Sequence, residues 1–309
     1  MTSIKTIYTF LKKALLGAAY SEIRTKRIVA FQLAKQRLDE LAYHSEKSGV
    51  EKSCADGKGE LIVSLTTHGK RIHVVHRAIE SIFQQSVQVS RVVLYLSDKE
   101  YVRAEQLPIA LQCQMKRGLE VRFVKDQGPY TKLLPALREY SDANIITIDD
   151  DILYSVNMIE RLLKAHDEFP DSICALATPV LEWEDGNKLK SFYQLEYEYP
   201  ECPKQSVMYV AEGFGGVLYP PHSLPDEVFN SSVFSRLAPT ADDLWFKAMG
   251  LLKGTGVVAA SMGWDVYEDL IVDEDVQTMG LIQENKRSDV YDRQFRSLLE
   301  HYNLYDKLR

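Results

Sequence analysis

The sequence predicts an α/β protein with a mixed, largely parallel sheet flanked by helices. Two observations carry this prediction. Short β-branched runs recur along the chain, at Leu61–Leu65, Val92–Leu96, Leu119–Val124 and Asn144–Ile148. Stretches at helical spacing separate them, and such an alternation builds a parallel sheet with crossover helices. A third observation points to a site. The run Asn144–Ile148 closes on three consecutive acids, Asp149, Asp150 and Asp151.

Taken in order, residues 1–50 read as an amphipathic helical extension. Ile4, Ile7, Tyr8, Leu11, Leu15 and Ala18 fall at helical spacing, with Lys5, Lys12 and Lys13 among them. A basic cluster, Arg24, Lys26 and Arg27, follows. Such a helix suits an anionic membrane surface. Packing on the body, or on a second subunit, accounts for the same pattern. Residues 48–59 lack periodicity and read as a linker, so the main domain is expected at 58–309. Its first strand, Leu61–Leu65, leads into the polar loop Thr66–Arg71. A helix over Val74–Gln85 follows, with Val75, Ile79, Ile82 and Phe83 on one face. The second strand closes on Ser97 and Asp98. A helical stretch near 100–115, a third strand and a helix over Lys132–Tyr140 lead to the strand that ends in the acids. Helices are also expected over Val156–His166, from Ala241 onward and over Arg293–Tyr302.

The composition, 45% hydrophobic and 26% charged, is that of an ordinary globular protein of one large or two small domains. Residues 1–40 carry eight Lys/Arg and three Asp/Glu, a net +5 that leaves −12 for the rest of a chain of net charge −7. An acidic body argues against nucleic acid as the main partner. Cys54, Cys113, Cys174 and Cys202 are widely spaced, which fits reduced thiols better than disulfides or a zinc site. No signal peptide is evident, and Ala14–Tyr20 is too short to span a bilayer. The expectation is a cytoplasmic protein, with peripheral membrane contact through residues 1–47.

Three crowded carboxylates repel one another, and without a cation at least one is driven toward protonation. If the extended chain continues, Asp149 and Asp151 project the same way. Two hard oxygen ligands side by side suit Mg²⁺ or Mn²⁺ held with a substrate's phosphates. A solvated acidic turn is the plainer alternative. In open α/β sheets, ligands bind beyond the carboxyl ends of the strands. The loops Thr66–Arg71, Ser97–Asp98, Lys125–Lys132 and Asp149–Asp151 are therefore expected to converge on one crevice. Further on, Gly213, Gly215 and Gly216 permit a close backbone approach or a tight bend. Asp242 and Asp243 open a helix, where the dipole favours acids and Thr240 is positioned to cap.

Together these segments resemble a family. Glu80–Ser86 before Val92–Asp98 looks like the first helix and second strand of family 2 glycosyltransferases, which have the nucleotide-sugar-binding GT-A fold. Asp149-Asp150-Asp151 resembles that fold's D-x-D metal motif. Asp242-Asp243-Leu244 resembles the later acidic pair that carries the catalytic base of inverting members. The resemblance covers roughly residues 60–250. It implies a Mn²⁺- or Mg²⁺-dependent glycosyltransferase of cell-surface polysaccharide synthesis. Such an enzyme moves a sugar from a nucleotide-diphospho-sugar, a UDP-sugar favoured, to a glycan or lipid-linked acceptor. Asp149 and Asp151 would hold the metal. Asp243 would be the base, with Asp242 second. Asp98 would accept from the nucleobase, Thr66 and Thr67 would pack by the nucleoside, and Arg71 and Lys132 would contact phosphate. Asp150 would face the sugar or ribose, or hold a neighbouring side chain. The chain departs from the family in its Asp-Asp pair, where Glu-Asp is commoner. It also departs in the late histidine that completes many metal sites, for which His301 and His222 are the candidates.

Two other readings compete. A sugar-phosphate nucleotidyltransferase uses a similar sheet, but its Gly-rich phosphate loop is replaced here by Thr66-Thr67-His68-Gly69-Lys70-Arg71. A non-catalytic, membrane-peripheral module holding Ca²⁺ would explain the N-terminal helix, but not two separated acidic clusters.

Overall fold

The computed structural model describes residues 25–26, 28–51, 59–184, 186, 188–263, 270–273 and 289–309. The apolar and basic positions of residues 1–24, Arg27, Cys54 and most of the expected linker lie outside them. Residues 28–44 form a helix, α1.

Four parallel strands make one half of the main sheet. They are β1 (Leu61–Thr66), β2 (Arg91–Ser97), β3 (Leu119–Val124) and β4 (Asn144–Thr147), in the order β3-β2-β1-β4. Helices α2 (His76–Phe83), α3 (Ile109–Lys116) and α4 (Leu134–Glu139) make the crossovers. The chain steps outward from β1 to β3, then returns to the other side of β1 as β4. The carboxyl ends of β1 and β4 thus flank a topological switch point, where open α/β sheets hold ligands.

Beyond β4 the sheet becomes mixed. After β5 (Ile152–Leu153) and α5 (Met158–Glu168) come β6 (Ile173–Ala175), β7 (Lys204–Ser206), β8 (Val217–Tyr219), α6 (Ser231–Leu237), α7 (Asp242–Lys253) and β9 (Val257–Ala259). The sheet continues β4-β8-β6-β9-β7, antiparallel except between β6 and β9. β10 (Ile271–Val272) pairs with β5, and α8 (Val290–His301) packs late in the chain. Side chains alternate between two cores, as the two-residue strand period requires. Ile62, Tyr95, Ile145 and Tyr219 join the α7 and α8 side, whereas Val63, Leu94, Ile146 and Leu218 join the α2 and α5 side.

α1 is docked on this body. Phe31 and Leu38 pack with Leu153. Asp39 accepts from Arg77 Nε at 2.7 Å and lies 2.8 Å from His76 Nε2. Arg77 also donates to Asp273 at 2.8 Å, and the Asp273 N–H donates to the Asp151 carbonyl at 2.7 Å. One buried arginine therefore ties α1 and the β10 end to the acidic turn. Among the described residues, no helix is long and apolar enough to cross a membrane. Cys113, Cys174 and Cys202 are free thiols.

Candidate active site

β4 stops at Thr147, and Asp150 and Asp151 form a turn before β5. The extension that would have put Asp149 and Asp151 on one strand face does not continue. The three acids instead divide between two cations. Asp150 is buried and accepts from Thr67 Oγ1 at 2.5 Å and Arg71 Nη1 at 2.6 Å. Arg71 Nη2 reaches Asp151 at 3.1 Å. Asp149 accepts from Lys132 Nζ at 3.1 Å, and its backbone N–H donates to the Tyr154 hydroxyl at 2.8 Å.

Lys132 joins the two acidic clusters. It ends a tight turn, Gly128–Lys132, whose last carbonyl accepts from Ser64 Oγ of β1 at 2.5 Å. Its ammonium lies 3.1 Å from Asp149, 3.0 Å from Asp242 and 3.5 Å from Asp243. Burial opposes its charge, yet the three carboxylates hold its pKa well above the ordinary lysine value. Gly213 makes this possible. A Cβ there would stand 2.3 Å from Lys132 Nζ, 3.2 Å from Asp243 and 3.3 Å from Asp149. Its N–H donates to Asp243 Oδ2 at 3.1 Å. In the glycine run read from sequence, Gly213 is thus a close backbone approach to side chains of the site, while Gly215 lies against Ala177 and Gly216 against Met158.

α7 opens at Asp242 with Ala241 at its cap, so Thr240 does not cap it. Thr240 instead exchanges hydrogen bonds with Gln294 of α8. Asp242 Oδ2 and Asp243 Oδ1 are buried without a hydrogen bond, although both face Lys132 at ion-pair distance.

Thr67, Arg71, Lys132 and the five aspartates line one cavity of about 1310 Å³, together with Thr66 and Glu212. Thr66 turns its hydroxyl to the Tyr95 carbonyl at 2.9 Å. Asp98 departs from expectation: it is exposed and is not part of the lining, which takes Ser97 and Glu100 from that strand end. Arg71 and Lys132, expected at phosphate, are each committed to carboxylates. His222 lies exposed against Asp142, and His301 is exposed on α8; neither lines the cavity.

Glu212 was not legible as a site residue, because nothing in its Tyr- and Glu-rich surroundings marks it. Burial pushes its pKa up to about 8, against the Tyr197 hydroxyl that donates to it, and Asp243 and Asp149 add to the rise. Burial raises Asp151 to about 7, with repulsion from Asp149 and Asp150. Burial also raises Asp243 to about 7, Lys132 opposing and Asp242 adding. Asp150 is raised by burial, with Arg71 opposing.

Five aspartates thus share two cations, Arg71 and Lys132. The all-oxygen donor set, with Asp149 and Asp151 lining the cavity, fits a hard divalent cation. Among the described residues, no three acidic, His or Cys side chains form a ready coordination set. Mg²⁺-type ions commonly take one or two carboxylates and complete their shell with water and substrate phosphates, so no protein cage is required.

No family model matches this chain, and no curated protein matches it in sequence. Solved structures show a partial likeness to it. The mannosyltransferase PcManGT from Pyrobaculum calidifontis, in complex with GDP-Man and Mn²⁺, is 15% identical over 50% of this chain and 46% of its own, at TM-score 0.32. S. aureus TarS 1–349 is 13% identical over 64% of this chain and 57% of its own, at TM-score 0.42. The same TarS segment in complex with UDP gives 12%, 65%, 58% and 0.39. The chain spans about half the length of the solved structures it matches. At these values the likeness names no activity for this chain.

Proposed function

We propose that this chain is a metal-dependent GT-A-type glycosyltransferase that moves a sugar, with inversion, from a nucleotide-diphospho-sugar to an acceptor hydroxyl. The observation that carries the reading is the meeting of two acidic clusters around Lys132 in one cavity at the sheet's switch point. Such a pairing separates two tasks that the chemistry needs together. One is compensation of charge on a leaving diphosphate, and the other is removal of a proton from the attacking hydroxyl.

Asp149 and Asp151 would hold Mn²⁺ or Mg²⁺, which when bound supplies Lewis-acid neutralisation of the diphosphate. Arg71 fixes Asp150 and Asp151 and keeps them from folding away from the cavity. Thr66 and Thr67 border the cavity at the end of β1. Asp243 is the base. One of its oxygens is pinned by the Gly213 N–H, which leaves Oδ1 to accept the acceptor's proton. A carboxyl poised near neutrality is well matched to that step. Lys132 favours the ionised form of Asp243, against the effect of burial. Asp242, at the same helix start, adds negative charge that favours proton uptake by Asp243.

A thermal-shift panel of nucleoside diphosphates, each with and without Mn²⁺, tests the reading. A ligand that binds the folded state raises the melting temperature by mass action. One diphosphate should stabilise the chain in a Mn²⁺-dependent way, and Asp149→Asn and Asp151→Asn should abolish that dependence. Stabilisation by none of them, or full Mn²⁺ dependence in both variants, would sink the assignment.

A further inference from the structure

We propose that the acceptor is a saccharide, seated on an aromatic shelf built from Phe192, Tyr193, Tyr197, Phe214 and Tyr291. Its role as acceptor rests on the glycosyltransferase reading; its binding does not. The cavity is larger than the 300–1,000 Å³ usual for one small ligand. Its lining is chemically uneven: the β1 and β4 ends contribute Thr67, Arg71 and Asp149, Asp150 and Asp151, while Phe192, Tyr193, Tyr197, Phe214 and Tyr291 contribute five rings.

The shelf is built rather than incidental. Phe192 and Tyr193 lie in a short turn, Phe192–Gln194, whose first N–H donates to Asp292 Oδ1 of α8 at 2.7 Å. Phe192 packs on Tyr291 at 4.8 Å and 61°, and Tyr193 meets Tyr291 at 6.1 Å and 43°. Tyr197 stacks on Tyr199 at 8° and meets Phe214 at 76°. Despite these contacts Tyr193 stays 45% exposed. A ring held in place yet left open toward a cavity is a contact surface awaiting a partner.

The carboxylates beside the rings select the partner. The Tyr197 hydroxyl donates to Glu212, and Glu212 and Asp243 line the same cavity as the rings. A pyranose carries weakly positive C–H groups on its faces and hydroxyls at its rim. The faces suit the electron-rich ring surfaces, and the hydroxyls donate to Glu212 and Asp243. A polyprenyl chain would meet ionisable carboxyls it cannot satisfy.

Saturation-transfer NMR with a panel of methyl glycosides of glucose, galactose, mannose, N-acetylglucosamine and N-acetylgalactosamine tests the shelf on the whole chain. At least one glycoside should receive saturation through its ring C–H protons. Tyr193→Ala should weaken its binding by about fivefold. Tyr43→Ala, an exposed ring outside the cavity lining, should leave it unchanged. The proposal is overturned if no glycoside is saturated, if Tyr193→Ala binds like the parent, or if UDP or a polyprenyl phosphate needs Tyr193 and the glycosides do not. The Mn²⁺–nucleotide thermal shift, run beside it, separates the two ideas. Glycoside binding without nucleotide stabilisation leaves the shelf standing and removes the transferase reading. The opposite pattern removes the shelf alone.

Discussion

Lys132→Met removes the ammonium that joins Asp149, Asp242 and Asp243 and keeps a side chain of similar length. Its three contacts of 3.0 to 3.5 Å are each worth about 5 kcal/mol at an effective dielectric constant of about 20, before desolvation. Taking a lysine out of water returns much of that, so the sum is not the stability change. The relevant case is a buried cluster that loses one partner, which costs about 3–5 kcal/mol. At about 2 °C per kcal/mol for a chain of this size, the melting temperature should fall by about 6–10 °C near neutral pH. The loss should depend on pH. Without the ammonium the aspartates are harder to ionise, starting from an Asp243 already raised to about 7. The penalty is full above those raised values and fades as pH falls and the carboxyls become neutral. Mn²⁺ should narrow the gap, since it supplies the missing positive charge. Differential scanning calorimetry of both proteins at pH 8 and pH 5, with and without Mn²⁺, measures all three effects. A loss below about 1 kcal/mol at pH 8, far under the expected cost, would refute the reasoning. So would an equal loss at the two pH values.

Other perturbations read different parts of the site. Asp243→Asn should lower kcat by about 10²-fold or more while nucleotide binding persists, the expectation for loss of a base; a variant with parental kcat removes Asp243 from that role. Gly213→Ala forces a methyl toward Lys132 Nζ and should destabilise by about 1–3 kcal/mol, which urea unfolding will show; an unchanged midpoint would mean that Lys132 relaxes at no cost. Lys247 is buried on α7 and donates to the Val207 carbonyl, and burial lowers its pKa to about 7. Between about 7 and the ordinary lysine value the unfolded chain binds a proton that the folded one does not, so stability rises with pH there. Lys247→Met should flatten that rise by up to about 1.4 kcal/mol per pH unit. Parallel stability–pH curves for variant and parent would contradict it.

The periodicity of Leu61–Leu65, Val92–Leu96 and Asn144–Ile148 sufficed for the strands, because alternating or continuous burial of β-branched side chains leaves a local trace. The pairing of Asp149–Asp151 with Asp242 and Asp243 was legible as two acidic clusters at a strand end and a helix start. What joins them was not. Lys132 was expected at phosphate, and only the crossover geometry that sets Ser64 under its carbonyl and Gly213 beside its ammonium carries it between the clusters. The same holds for Asp98, which local order places at a strand end and packing leaves outside the cavity. Glu212 and the rings around it come from residues 192–197, 212–214 and 291, so no short-range pattern marks them. Local sequence records what each segment buries. Which charges end up sharing one low-dielectric space is a property of long-range packing, and that space decides how strongly each acid here is held.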